Sequence, residues 1–197
     1  MILTSDEILK QIKNGKIIIT PFDISQMNPN SYDLRLSDKL LVQTRNEFVM
    51  QGQQDYVMND CQCNPVTQYF YYIDSMKPNA TAEIIIPETG YILVPGVLYL
   101  GSTLEYTETH DFVPTIEGKS SIGRLGIDIH KTAGFGDLGF CGQWTLEITV
   151  VQPVKIYPNM KIAQIIYNSV LGNITKTYQG KYQNQDGVVA SKAYKDF

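Results

Sequence analysis

Residues 117 to 147 gather side chains suited to a phosphorylated ligand that is also read by hydrogen bonds. Gly118-Lys119-Ser120-Ser121 sets a lysine charge, two hydroxyls and a glycine-freed backbone side by side. Those are the groups a phosphate needs. The spacing is not that of a Walker loop, because Gly-x-x-x-x-Gly-Lys is absent. A polar turn ahead of a short helix explains the same residues. Arg124, flanked by Ile122, Leu125 and Ile127, is expected to point into a partly apolar place. Glu147 lies in Thr145-Leu146-Glu147-Ile148-Thr149-Val150, which reads as a strand. Alternation puts Thr145, Glu147 and Thr149 on one face and Leu146, Ile148 and Val150 on the other. A carboxylate there is either a group on a solvated face or a general base held by a cation such as Arg124. Losing one partner of a buried ion pair costs roughly 3–5 kcal/mol, so such a pair marks a structural commitment or a site. Asp137 sits among Gly134, Gly136 and Gly139. It is either a turn aspartate or a group placed where backbone approaches a neighbour closely.

Several other chemistries lack their residues. Zinc-dependent base deaminases need His or Cys with a Cys-x-x-Cys pair and a Glu beside the His. Here the histidines are His110 and His130, followed by Asp-Phe and Lys-Thr, and the close cysteines read Cys61-x-Cys63. Both histidines therefore read as structural or surface groups. There is neither a Gly-x-Ser-x-Gly elbow nor a dinucleotide fingerprint.

The elements that position these groups are mostly strands. Thr4 to Gly15 reads as one short helix, with Thr4 and Glu7 as a capping box and Gly15 as the stop. Strand candidates are Ile17 to Ile19, Leu34 to Val42, Tyr69 to Ile73, Ala82 to Ile86, Tyr91 to Val94 and Val97 to Leu100. Phe112 to Ile116, Trp144 to Val151, Val154 to Tyr157 and Ile162 to Tyr167 complete the set. They are short, rich in β-branched and aromatic residues, and punctuated by Gly, Pro and Asn. Such spacing predicts a mostly β sandwich or jelly roll in a single domain spanning 1–197. Residues 45–66 read as an irregular polar insertion, and the tail from about 178 to 197 as a mobile segment able to close over a ligand.

At 197 residues, with 43% hydrophobic and 18% charged residues, the profile is that of a folded domain rather than a disordered or membrane chain. A net charge of -4 argues against nonspecific nucleic-acid binding, yet leaves room for a local basic cluster. Three cysteines make no disulfide framework, and no apolar run is long enough to span a membrane. The expected location is the reducing cytoplasm.

Several stretches in order resemble the dCTP deaminase family of the dCTP deaminase/dUTPase superfamily. They are Met1-Ile2-Leu3 with its helix, Asn30-Ser31-Tyr32-Asp33-Leu34-Arg35-Leu36, Val94 to Thr103, Glu117 to Glu147, Tyr157-Pro158-Asn159-Met160-Lys161-Ile162 and Gly180 to Gly187. The resemblance covers nearly the whole chain. It implies a distorted jelly roll of the dUTPase-like β-clip type, a homotrimer with sites between subunits, and Mg²⁺ carried by the triphosphate rather than by a protein cage.

It also implies roles. Glu147 is the general base for attack of water on C4 of cytosine, Arg124 its orienting partner, and Ser120 a hydrogen-bond donor to the water or the C4 centre. Ala133 helps bind water or ammonia, and strand residues near Thr145 present backbone to the pyrimidine. Phe140 packs on the deoxyribose and Asp137 holds its 3′-hydroxyl. Lys119, Ser121, Tyr178, Lys181 and Gln185 hold the phosphates. Deamination of this kind runs without zinc.

The implied reaction is dCTP to dUTP and ammonia. The alternatives are a bifunctional enzyme giving dUMP and pyrophosphate, a dUTP diphosphatase alone, or a nonenzymatic nucleotide sensor; dUTP and dTTP are further candidate ligands. Arg124 together with Glu147 favours deamination over plain dUTPase action. Ala133-Gly134-Phe135 is similar to the bifunctional branch, whereas Asn184 to Ser191 is similar to a monofunctional one. The chain departs from the usual family pattern at Gly136-Asp137-Leu138-Gly139 and at Thr149-Val150-Val151.

Overall fold

The computed structural model describes residues 1–44 and 73–197, together with the backbone of 48–50 and 69–71. In chain order the elements are helix α1 (Ser5–Lys13) and strands β1 (Ile17–Thr20), β2 (Tyr32–Arg35), β3 (Lys39–Gln43), β4 (Phe48–Met50) and β5 (Tyr69–Tyr71). There follow β6 (Thr81–Ile85), β7 (Tyr91–Leu93), β8 (Tyr99–Thr109), β9 (Phe112–Gly118), the one-turn helix α2 (Ser120–Gly123) and β10 (Ile127–Asp128). The last strands are β11 (Cys141–Val150), β12 (Val154–Ile156) and β13 (Lys161–Ser169). Short 3-10 turns cover Ile24–Gln26 and Ala193–Asp196.

Of the two main sheets, the larger runs β10-β11-β8-β3-β6, with β1 also paired to β8, and the smaller runs β2-β13-β9; β12 with β7 and β4 with β5 form two further two-stranded sheets. Every strand pair is antiparallel. Buried side chains from both sheets form one core, including Leu34, Ile116 and Ile165 from the smaller sheet and Leu40, Leu146 and Ile148 from the larger. This is the expected mostly β architecture with its short N-terminal helix.

Particular boundaries differ from the sequence expectation. The span Leu34 to Val42 splits into β2 and β3, because Leu36 to Asp38 carry the chain from one sheet to the other. β8 runs well past Leu100, to Thr109. Its second half is rich in Thr and Glu, polar residues that conceal a core strand from a hydrophobicity reading. In the N-terminal helix, Thr4 Oγ1 accepts from the Glu7 N–H at 3.4 Å, but Glu7 spends its carboxylate on Gln11 and Lys10. The capping box is thus only half made. Within the expected 45–66 insertion, Phe48–Met50 pairs with Tyr69–Tyr71, and the remainder of that insertion lies outside the described residues. Among the described residues no helix is long and apolar enough to cross a membrane.

The two sheets are locked by a polar contact. Glu105 on β8 is fully buried. Its carboxylate accepts from Arg35 Nε at 2.7 Å, from the Arg35 backbone N–H at 2.8 Å and from Gln26 Nε2 at 3.0 Å. A buried charge is tolerated only when paired and hydrogen-bonded in this way. Arg35→Ala would leave that carboxylate with two neutral donors and no counter-charge. The expected loss is about 3 kcal/mol of stability, read as a lower urea midpoint at unchanged slope. An unchanged midpoint would mean the pair carries no such weight.

Candidate active site

β11 is the strand on which the chemistry-bearing residues depend. Its burial alternates: Trp144, Leu146, Ile148 and Val150 are buried, while Gln143, Thr145, Glu147 and Thr149 are half-buried. The facing deduced from the sequence is therefore the facing observed. The alternation survives an irregularity. Gln143 faces Tyr106 and Thr145 faces Ser102, so β8 advances four residues where β11 advances two. A slip of two preserves the in–out parity that a slip of one would reverse. The bulge is held by Thr103, whose Oγ1 accepts from the Trp144 N–H at 2.9 Å and donates to the Glu105 carbonyl at 2.8 Å.

Glu147 is held by backbone rather than by Arg124. The Lys131 N–H donates to Glu147 Oε2 at 2.7 Å, and the Glu147 N–H donates to the Ile129 carbonyl at 2.8 Å. Lys131 Nζ also reaches Thr149 Oγ1 at 2.5 Å. A charge-assisted N–H bond of this kind fixes one carboxylate oxygen and leaves the other open to accept. Arg124 caps the short helix α2 and is exposed, not set in an apolar place. Within the chain its side chain forms no hydrogen bond or ion pair with a described residue, so the expected Arg124–Glu147 pair is not made in one copy. Ser120 and Ser121 are exposed on the same turn. Ile122 is the residue α2 buries, and these side chains face outward.

Lys119 ends in the protein rather than at the surface. Its ammonium pairs with Asp33, a buried carboxylate that also accepts from Asn28 Nδ2 at 2.7 Å and lies 3.4 Å from Lys161. An ammonium has three donors, so one bond to Asp33 does not exhaust it.

The loop between β10 and β11 carries Ala133 and Asp137, both exposed. Gly134 and Gly136 serve close approach to protein. The Ile116 N–H donates to the Gly134 carbonyl at 2.7 Å and the Gly136 N–H to the Pro114 carbonyl at 2.9 Å, sewing the loop to β9. A Cβ on Gly134 would lie 2.8 Å from the Ile116 carbonyl oxygen, and one on Gly136 would run into Trp144. Phe140 is buried against Trp144, ring centroids 4.5 Å apart, with Tyr178 over it at 5.9 Å. It is a core aromatic here, not an open platform for a sugar.

The C-terminal tail, expected to be mobile, lies docked on the start of β11. Tyr178 and Tyr182 pack against the core. The Gln143 N–H donates to the Gln185 carbonyl at 2.9 Å and the Asn184 N–H to the Cys141 carbonyl at 2.8 Å. Gln185 is buried, and its amide donates to the Gln143 carbonyl at 2.8 Å and to Thr145 Oγ1 at 2.7 Å. Lys181 pairs with Asp196, a hydrogen bond that raises its pKa above the ordinary lysine value. The Tyr178 hydroxyl accepts from the Tyr182 N–H at 3.2 Å. The three tail residues assigned to phosphate thus have partners inside the chain. The sequence reading missed Lys131, Gln143 and Asp33. Gln143 was within reach, since it stands two positions before Thr145 on the same face.

Two antiparallel sheets closed on one core, with a half-open carboxylate strand in the larger, define a jelly roll of the dUTPase-like β-clip type. The fold is similar to that of a 2′-deoxycytidine 5′-triphosphate deaminase from Agrobacterium tumefaciens. The TM-score is 0.56 at 21% identity, over 86% of this chain and 48% of that one. The dCTP deaminase-like family model matches residues 2–170. A Cytophaga hutchinsonii protein named dCTP deaminase, dUMP-forming, is 46% identical over 197 residues, covering 100% of this chain and 99% of its own. A Clostridium acetobutylicum protein of the same name is 49% identical over 191 residues, covering 95% and 96%. The chain belongs to the dCTP deaminase family.

Gln185→Ala removes two side-chain bonds that fasten the tail to β11. At about 1 kcal/mol for each neutral bond, amide exchange across residues 183–189 is expected to quicken by tenfold or more. Unchanged exchange would show that Tyr178 and Tyr182 alone hold the tail.

Proposed function

We propose that this enzyme converts dCTP to dUMP: dCTP and two waters give dUMP, pyrophosphate and ammonia. The first water replaces the amino group at C4, and the second cleaves between the α- and β-phosphates. The observation that carries the deamination step is the Glu147 carboxylate. It stands on the half-open face of β11 with one oxygen fixed by the Lys131 N–H at 2.7 Å and the other free to take a proton from water. General-base action of this kind is worth about 10²–10⁴-fold. The second step is supported by the full-length relatives named dUMP-forming, and by Ala133-Gly134-Phe135. Release of dUTP, the first expectation from sequence, gives way to the bifunctional alternative on this ground.

The free Arg124, Ser120 and Ser121 support a site completed between copies in a homotrimer. In that arrangement Arg124 orients the Glu147 carboxylate of a neighbouring copy, Ser120 donates to the attacking water or the C4 centre, and Ser121 and Lys119 meet the phosphates. Asp137 holds the sugar hydroxyl, Ala133 lies by the water, and the backbone near Thr145 reads the pyrimidine. Tyr178, Lys181 and Gln185 reach the phosphates only if the tail exchanges its present partners for the ligand. Mg²⁺ comes with the triphosphate, in keeping with that ion's preference for phosphate oxygens and water. The setting for this reaction is the cytoplasm.

The direct test is product analysis by anion exchange after incubation with dCTP and Mg²⁺. dUMP and pyrophosphate are expected as the accumulating products; dUTP accumulating in their place would reject the second step. Glu147→Gln keeps the shape of the side chain and removes its basicity. Its kcat for ammonia release is expected to fall at least 100-fold while dCTP binding persists. Retained turnover would remove Glu147 from the role of base.

A further inference from the structure

At the far end of β11 from Glu147, three side chains of different chemistry converge without any part in the proposed reaction. His110 follows β8, Glu108 lies within it, and Cys141 opens β11 directly opposite Glu108. The His110 Nε2 atom lies 3.0 Å from Glu108 Oε1 and 3.9 Å from Cys141 Sγ. One nitrogen, one carboxylate oxygen and one sulfur all fall within 4.8 Å of one another, and this is the only such trio of His, Cys or carboxylate groups among the described residues. We propose that Glu108, His110 and Cys141 form a binding site for a zinc-class divalent transition metal.

The distances suit that ion. Zn–S of about 2.3 Å and Zn–N of about 2.0–2.1 Å put tetrahedral sulfur and nitrogen ligands ~3.6 Å apart, and nitrogen and oxygen ligands ~3.3 Å apart. Closing the S···N gap and opening the N···O gap each takes a few tenths of an ångström, and the S···O gap, which lies within 4.8 Å, closes by up to about an ångström toward the ~3.6 Å of a tetrahedral site as the side chains turn. The arrangement is poorly explained as hydrogen bonding alone, because a single nitrogen faces both partners and the thiol already donates to the Gly139 carbonyl at 3.4 Å. The outer environment is prepared as well. The Tyr106 hydroxyl donates to the second oxygen of Glu108 at 2.8 Å, and this bond is the main reason the Glu108 carboxyl sits below its ordinary pKa. That leaves Oε1, ionised and oriented, for the metal. Burial, and then the Glu108 charge, raise the Cys141 thiol pKa, so ligation displaces a proton from sulfur to solvent. Sulfur and imidazole with a single carboxylate select zinc, cobalt or nickel over Mg²⁺.

Cys141 is only 4% exposed, whereas the His110 side chain is 56% exposed. A metal therefore enters from the His110 side, and water fills the fourth position. The site lies six residues along β11 from Glu147, about 20 Å at strand spacing. It sits beside the docked tail, since the Cys141 N–H donates to Gln183 Oε1 at 3.2 Å. A bound ion would pin the end of β8 to the start of β11 where the tail rests.

The test is titration of the full-length protein, stripped with chelator and reduced, with Co²⁺ and then Zn²⁺. One equivalent of Co²⁺ is expected to raise a thiolate-to-cobalt charge-transfer band, which Zn²⁺ displaces. Cys141→Ser abolishes the band, and His110→Ala, at an exposed position that spares the fold, weakens Co²⁺ binding at least tenfold. A Cys61→Ser/Cys63→Ser double variant keeps both band and affinity. No band in the parent protein, a band surviving Cys141→Ser, or full affinity in His110→Ala would each overturn the assignment.

Discussion

A carboxylate with no exposed surface, Glu105, sits where the two sheets meet and is neutralised by Arg35 from the other sheet. Desolvating that charge is costly, so the packing of β8 against β2 depends on the pair, the Arg35 N–H and Gln26 staying together. The consequences run outward along β8. It pairs with β11, β3 and β1, and beside Glu105 it bulges so that Thr103 can bond the Trp144 backbone. Trp144 is fixed a second time, its indole N–H donating to Thr107 Oγ1 at 2.8 Å. With Trp144 anchored inward, Thr145 and Glu147 have no choice but the opposite face.

The site follows the same logic of backbone fixing side chain. Glu147 is oriented by an N–H from a loop that is itself stitched to β9 through Gly134 and Gly136. The cationic and hydroxylic groups assigned above to an anionic substrate, Ser120 and Ser121 on α2 and Arg124 at its C-terminal end, are exposed. In the assembly proposed above, the carboxylate fixed without its cation and the cation exposed without its carboxylate form complementary halves. That complementarity is what a symmetric assembly with shared sites requires.

What the sequence disclosed was what local periodicity carries. The period-two pattern in Thr145 to Val150 identified the buried and open faces of β11, and the helix start at Thr4 followed from its capping chemistry. What it concealed was set by distant partners. Thr103, Glu105 and Thr107 look like surface residues until Trp144 and Arg35 are brought to them by the fold. Lys119 looks like a free phosphate ligand until Asp33, far away in the chain, claims it. The tail reads as undocked because much of its anchoring is amide bonds from Gln183 and Gln185, added to the packing of two isolated aromatics, Tyr178 and Tyr182. Phe140 likewise gave no sign that Tyr178 would cover it.

In the reaction proposed above, one chain type carries dCTP through to dUMP without surrendering dUTP. This is tested most directly by a trapping experiment. Base-labelled dCTP is turned over with the purified protein in the presence of a large excess of unlabelled dUTP, and the label is followed into dUMP and dUTP. Label is expected to reach dUMP from the first turnovers and never to build up in the dUTP pool. Label collecting in dUTP, with unlabelled dUMP forming slowly or not at all, would contradict it.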